Sequence, residues 1–141
     1  MAVQSEHTVM QTLQSTGLFD GIPLTIISEF ASTVRIAHYE RQEVIVPQGA
    51  SNCGLYIVAE GLVKEYRLHT SGRQRVIKMY GSGSLFGRTI LTDSGSCILQ
   101  AEAVEPTEVY VIIPRYLQSL IEQDATVAIR LMIHMAKQLE E

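Results

Sequence analysis

Any chemistry in this chain has to come from a small set of sulfur, imidazole and charged groups. Two cysteines, Cys53 and Cys97, are too few for a secreted disulfide scaffold or a four-ligand zinc site. They also fall short of the four thiolates of an iron–sulfur cluster. A single thiol can still do redox chemistry where a neighbouring cation favours its thiolate. The four histidines, His7, His38, His69 and His134, are scattered singly and lack metal-ligand spacing, so no metal site is assigned. No nucleophile–base set stands out, and the chain reads as a binding protein and not an enzyme.

Electrostatics narrows the partners. Eleven basic residues against fifteen acidic ones give a net charge of −4, with three lysines and no basic run. Nucleic-acid affinity rests mainly on Lys and Arg neutralising phosphates, so this is not a complete DNA- or RNA-binding protein. The start MAVQSEHTVMQ lacks a basic n-region and an apolar h-region. No apolar stretch approaches the ~18–20 residues of a membrane helix. The expectation is a cytoplasmic protein with no membrane contact. Its 141 residues suit one domain.

Three zones position these groups. Residues 1–33 have helical periodicity, with Val9, Met10 and Leu13 on one stripe; Gly17 and Asp20-Gly21 interrupt it. Pro23 opens a second helical stretch, PLTIISEFAS, where a missing N–H costs little. Residues 34–113 break into short β-like runs, VRIAHY, EVIVP, GLYIVAE, LVKEYRLH, QRVIKMY, ILQAEAV and TEVYVII. Glycines at 49, 61, 72 and 83 recur between them, the beat of an antiparallel sandwich or barrel. In LVKEYRLH, the face carrying Leu62, Lys64, Tyr66 and Leu68 is the expected buried one. Residues 114–141 return to a helical period: PRYLQSLIEQ, then a second helix opened by Asp124 as cap. Val127, Leu131, Met135 and Leu139 are spaced four apart along it. The fold expected is α+β, an antiparallel β-roll of jelly-roll type flanked by N-terminal helices and a C-terminal helix.

The ordered set Gly49, Leu55-Tyr56-Ile57-Val58, Gly61, the turn Ser71-Gly72-Arg73, and Gly83 before Phe86-Gly87 resembles the β-roll of cyclic-nucleotide-binding domains. More narrowly, the chain is similar to the N-terminal sensor domain of the CRP/FNR superfamily of bacterial transcription regulators. The closing run IRLMIHMAKQLE resembles the start of that family's long central helix. The likeness extends over roughly residues 10 to 141.

That resemblance implies a ligand pocket after the Phe-Gly pair, where a short helix presents backbone N–H groups to a phosphate. Relatives carry a Glu directly after the Gly and an Arg about ten residues on. This chain reads Gly87-Arg88-Thr89, and then Asp93-Ser94-Gly95-Ser96-Cys97. Arg88 stands in the Glu position, and Ser96 or Cys97 where the Arg would be. The expected ligand-binding residues are Gly87, Arg88, Thr89, Ser96 and Cys97. Charge-assisted contacts contribute about 1.5–3 kcal/mol each, so the exchange disfavours cyclic AMP. Arg88 is open to two readings, an anion contact or an ion pair with a strand carboxylate such as Glu65. Cys97 is likewise open, as an oxidant sensor or as a small buried hydrophobe.

The resemblance also implies a homodimer paired along the closing helix, with Val127, Leu131, Met135 and Leu139 as the seam. It implies a small-molecule effector, and contact with DNA only through a domain missing from this chain. The stripe runs to the end without a stop signal, so the helix reads as cut short. Two rival readings use the same fold: a haem- or thiol-based gas or redox sensor, or a stand-alone interaction module. A cupin-type enzyme would need clustered His and Glu, and only His38 and His69 fall in the β region.

Overall fold

A computed structural model describes residues 2–50, 54–87 and 97–140, leaving aside the side chains of 2–7 and 139–140. Contacts divide the chain into two units, residues 35–112 and residues 1–34 with 113–141.

The first unit holds eight strands: β1 (Arg35–Tyr39), β2 (Val44–Val46), β3 (Leu55–Glu60), β4 (Val63–Leu68), β5 (Gln74–Tyr80), β6 (Leu85–Phe86), β7 (Gln100–Ala103) and β8 (Thr107–Ile112). They form two four-stranded antiparallel sheets, ordered β1-β8-β3-β6 and β2-β7-β4-β5. Each of the seven β-like runs of the sequence contributes one strand. The two-residue β6 has no run of its own, because pairing with β3 through Tyr56 and Ile57 defines it.

The recurring glycines all stand at positive φ, between 86° and 115°. At Gly61 a side chain is excluded by contact as well as by conformation, since a Cβ there would run into Thr107. Thr107 closes that corner, accepting from the Leu62 N–H at 3.2 Å and donating its hydroxyl to the Glu105 carbonyl at 2.7 Å.

Strand alternation sends Val58, Val63, Tyr80, Phe86, Ala101, Ala103 and Val109 to one side, where they form a single apolar cluster with Ile45, Val46 and Cys97. This is the inner face of the roll. The opposite face of β3 and β8 is apolar too, with Leu55, Ile57, Tyr110 and Ile112 buried.

In the second unit, α1 (Ala2–Ser15) and α2 (Leu24–Ala31) contact each other and bury Val9, Leu13, Ile27 and Phe30, with Phe19 and Phe30 rings 5.6 Å apart. Pro23 sits one residue ahead of α2, its carbonyl accepting from Ile26 and Ile27. Helix α3 (Pro114–Gln123) carries Pro at its first position, as the sequence suggested. Asp124 caps α4 (Thr126–Glu140): the Thr126 N–H donates to its Oδ1 at 3.0 Å. The architecture is the expected α+β β-roll with flanking helices. No described helix is long and apolar enough to cross a membrane.

Candidate ligand site on the inner face

The β4–β5 hairpin brings three polar side chains onto the inner face. Val63 pairs with Tyr80 and Glu65 with Lys78, so all four side chains point to the same side. A bulge falls next, where Glu65 faces Lys78 and Tyr66 faces Val76, which skips Ile77. Glu65 is 7% exposed, and the Tyr80 hydroxyl donates to its Oε1 at 3.0 Å. A buried carboxylate is expensive unless hydrogen-bonded, and this donor meets part of that need. The Lys78 ammonium lies 5.7 Å from the Tyr80 ring centroid. Carboxylate, phenol and ammonium therefore share one face with the apolar cluster. Such a set can meet a ligand carrying hydroxyl donors and an anionic group.

Aromatic rings frame this group. Tyr56 stacks on Phe86 with centroids 4.9 Å apart, and Phe86 meets Tyr80 at 5.6 Å. Burial raises the Tyr56 phenol above its ordinary pKa, against the lowering effect of its hydrogen bond with the Gly54 backbone.

Gly87 follows Phe86 with φ 88°. A Cβ there would strike the Gly54 carbonyl and come within 2.8 Å of the Tyr56 ring, so the chain can leave β6 along this path only as glycine. Cys97 re-enters the cluster at 5% exposure, its N–H donating to Ala50 at 2.8 Å and its carbonyl accepting from Gly49 at 2.7 Å. Gly87 and Cys97, the described residues on either side of 88–96, thus both lie against the inner cluster. Arg88, Thr89 and Ser96 belong to that stretch and lie outside the described residues.

Cys97 is disulfide-bonded, which replaces the free oxidant-sensing thiol, while its place in the apolar cluster agrees with the buried reading. Pairing depends on distance in the fold, which spacing along the chain does not reveal. Cys53 lies outside the described residues.

The expected buried face of β4 is also corrected. Val63 and Glu65 are buried on the inner side, while Leu68 is 37% exposed. Tyr66 is buried, but on the outer side of its sheet. Its hydroxyl donates to Glu102 at 2.9 Å and accepts from Gln100 at 2.8 Å. Lys64 covers the Tyr66 ring and reaches Glu102 at 3.5 Å and Gln74 at 3.1 Å. Burial, then the bond with Glu102, raises the Tyr66 phenol above its ordinary pKa. Alternation identifies two faces correctly but cannot say which one meets the core when both mix polar and apolar groups.

Of the expected seam on α4, Val127 and Leu131 are 1% and 3% exposed and so are core positions within the single chain. Met135 is half-buried, and the Leu139 side chain lies outside the described residues. A second apolar stripe is the exposed one: Ile129 at 56%, Met132 at 69% and Ile133 at 45%. The four-residue spacing finds a stripe, and α4 has two.

Sequence reasoning missed Lys78 and Tyr80. Their signal is the hairpin register about Ser71-Gly72, which reaches Lys78 opposite Glu65 only after the bulge is allowed for. Among the histidines with described side chains, none joins the inner cluster. His38 lies 3.4 Å from Glu108 on the surface, His69 is exposed near the hairpin turn, and His134 neighbours Gln138 on α4.

Comparison with known proteins agrees with this architecture. The cyclic nucleotide-binding domain family matches residues 36–124. A cyclic AMP receptor protein of Thermus thermophilus is 31% identical over 129 residues, 92% of this chain and 60% of that protein. The crystal structure of Thermus thermophilus catabolite activator protein superposes with a TM-score of 0.75 at 32% identity, over 87% of this chain and 58% of that one. The sensor domain of the transcriptional regulator DNR from Pseudomonas aeruginosa shares the fold, with a TM-score of 0.85 at 19% identity over 95% of this chain and 90% of that domain. The chain thus spans about 60% of the length of its curated Thermus relative. It belongs to the cyclic nucleotide-binding domain family and is homologous to the CRP/FNR-type transcription regulators.

Proposed function

We propose that this chain is the effector-sensing and dimerising part of a CRP/FNR-type transcription regulator, acting on DNA through a further domain. The effector is a small anionic molecule held on the inner face of the roll, with Glu65, Tyr80 and Lys78 among its contacts. Arg88, next in sequence after Gly87, supplies a second cation, and Thr89 and Ser96 supply hydroxyls. One observation carries this reading. Gly87 and Cys97, which flank residues 88–96, both lie against the apolar cluster whose face also bears Glu65, Tyr80 and Lys78.

Cyclic AMP is not its tight-binding effector. Arg88 replaces the carboxylate that takes the ribose hydroxyl in the family pattern, and no Arg or Lys occurs from Thr89 to Ile113. The chain's own cations lie elsewhere on the hairpin, so a ligand of different shape satisfies them.

The exposed stripe Ile129, Met132 and Ile133 forms the dimer seam in place of Val127 and Leu131. Such a stripe on a regulatory helix suits association with a second copy. Effector binding then shifts the population between two arrangements of the paired helices. Sedimentation of the Ile133→Asp chain tests this part: the variant is expected to be monomeric where the parent chain is a dimer. An unchanged dimer in the variant contradicts the assigned seam.

A further inference from the structure

The far end of the β4–β5 hairpin carries a second, separate feature. Beyond the bulge, Arg67 stands directly opposite Arg75, and His69 is joined to Arg73 by a 2.9 Å backbone bond. The pleat therefore puts Arg67, His69, Arg73 and Arg75 on one side of the hairpin. Like charges placed directly opposite in a ladder destabilise it. Past Glu65 the hairpin supplies no carboxylate of its own: the sequence has no Asp or Glu from Tyr66 to Thr92. Among the described residues, none of Arg67, Arg73 and Arg75 makes an ion pair. An otherwise acidic chain thus concentrates positive charge at the turn end of one hairpin.

That turn also has a shape. His69, Ser71, Arg73, Gln74 and Arg75 line a depression of about 420 Å³. Its volume falls in the usual range of small-molecule sites, but its lining is charged and hydrogen-bonding where such sites are mostly apolar. Gln74 is held at its edge by Lys64 at 3.1 Å.

We propose that this depression is an anion site for a compact, multiply charged phosphate-bearing molecule. Guanidinium groups offer paired donors in the geometry that phosphate oxygens accept, and a bound dianion relieves the Arg67–Arg75 repulsion. A small ligand fits better than a nucleic-acid backbone. A polyanion gains its affinity from many phosphate contacts spread over a surface, and the rest of this chain is net negative. The site differs from the inner-face effector site in lying beyond the bulge, toward the turn, with none of Glu65, Lys78 and Tyr80 in its lining.

The test is an NMR titration of the 141-residue chain with inorganic pyrophosphate, compared with sodium chloride at matched ionic strength. Saturable shifts confined to the amides from His69 to Arg75 are expected. The double variant Arg73→Gln/Arg75→Gln should bind pyrophosphate about tenfold more weakly or worse. Its fold can be checked by unchanged amide positions on the inner face. Shifts that sodium chloride reproduces overturn the proposal, as does undiminished binding by the double variant. A short DNA duplex that binds more tightly than pyrophosphate at the same arginines overturns the choice of a compact ligand.

Discussion

The two ends of one hairpin follow opposite rules. At its base, every charged or phenolic side chain has a partner: Tyr80 donates to Glu65 on the inner side, and Tyr66, Glu102 and Lys64 form a network on the outer side. At its turn, Arg67, Arg73 and Arg75 are exposed, with Arg67 directly opposite Arg75. Between the two lies the bulge at Ile77. Strand pairing continues on both sides of the bulge, so the ladder alone does not explain the difference. Burial does. A buried polar group without a partner costs about 1–3 kcal/mol, whereas an exposed arginine stays hydrated and tolerates a like-charged neighbour. The base is specified for packing, and the turn keeps its charge available to an external ligand.

The largest effect should come from the frame that holds the base together. Gly87→Val forces a branched side chain into a positive φ and against Gly54, and should destabilise the chain by about 3 kcal/mol or more in urea unfolding. Next, Tyr80→Phe removes the donor to Glu65 and should cost about 1–3 kcal/mol, while Glu65→Gln keeps an acceptor and should cost less. Equal costs for the two variants would break the distinction drawn for the base. At the turn the sign reverses. Arg75→Gln removes a like-charge pair and should raise stability by a few tenths of a kcal/mol at low salt, on the scale of cross-strand pairs (~0.2–1 kcal/mol). Destabilisation by that variant would show that Arg75 has a structural role. The gain should vanish at high salt.

Tyrosine ionisation separates the core from the solvent in another way. Tyr56 and Tyr66 both have raised folded-state pKa values, from burial first. In the unfolded chain they ionise near pH ~10. Below that pH both states are neutral and no stability difference arises. Above it the unfolded chain loses protons that the folded chain retains, so stability falls as pH rises. Unfolding free energy should hold level up to about pH 10 on this account and decline beyond it. Tyrosinate absorbance of the folded chain should lag that of the urea-unfolded chain.

Much of this was legible in the sequence. Seven of the strands announce themselves as Val, Ile and Tyr runs, their glycines at 49, 61, 72 and 83 all adopt positive φ, and Asp124 caps as its type suggests. Those features are local, set by propensity and backbone freedom. What was not legible depends on contacts distant in sequence. The face of β4 that meets the core turns on Tyr80 and Glu102, which lie on other strands. Which of two apolar stripes on α4 is covered depends on what packs there. Lys78 reaches the inner face only through a bulge that shifts the register by one residue. The disulfide at Cys97 was hidden for the same reason.

The central claim concerns the ligand of the inner face, and a thermal melt of this chain with cyclic AMP tests it most directly. At 1 mM nucleotide, a dissociation constant of about 10 μM adds ~2.7 kcal/mol, or roughly 8–10 °C in a domain of this size. The account predicts a shift of no more than about 2 °C, corresponding to binding no tighter than about 1 mM. A shift near the larger figure, abolished by Lys78→Met or Arg88→Ala, would contradict the exclusion of cyclic AMP and place it on the inner face after all.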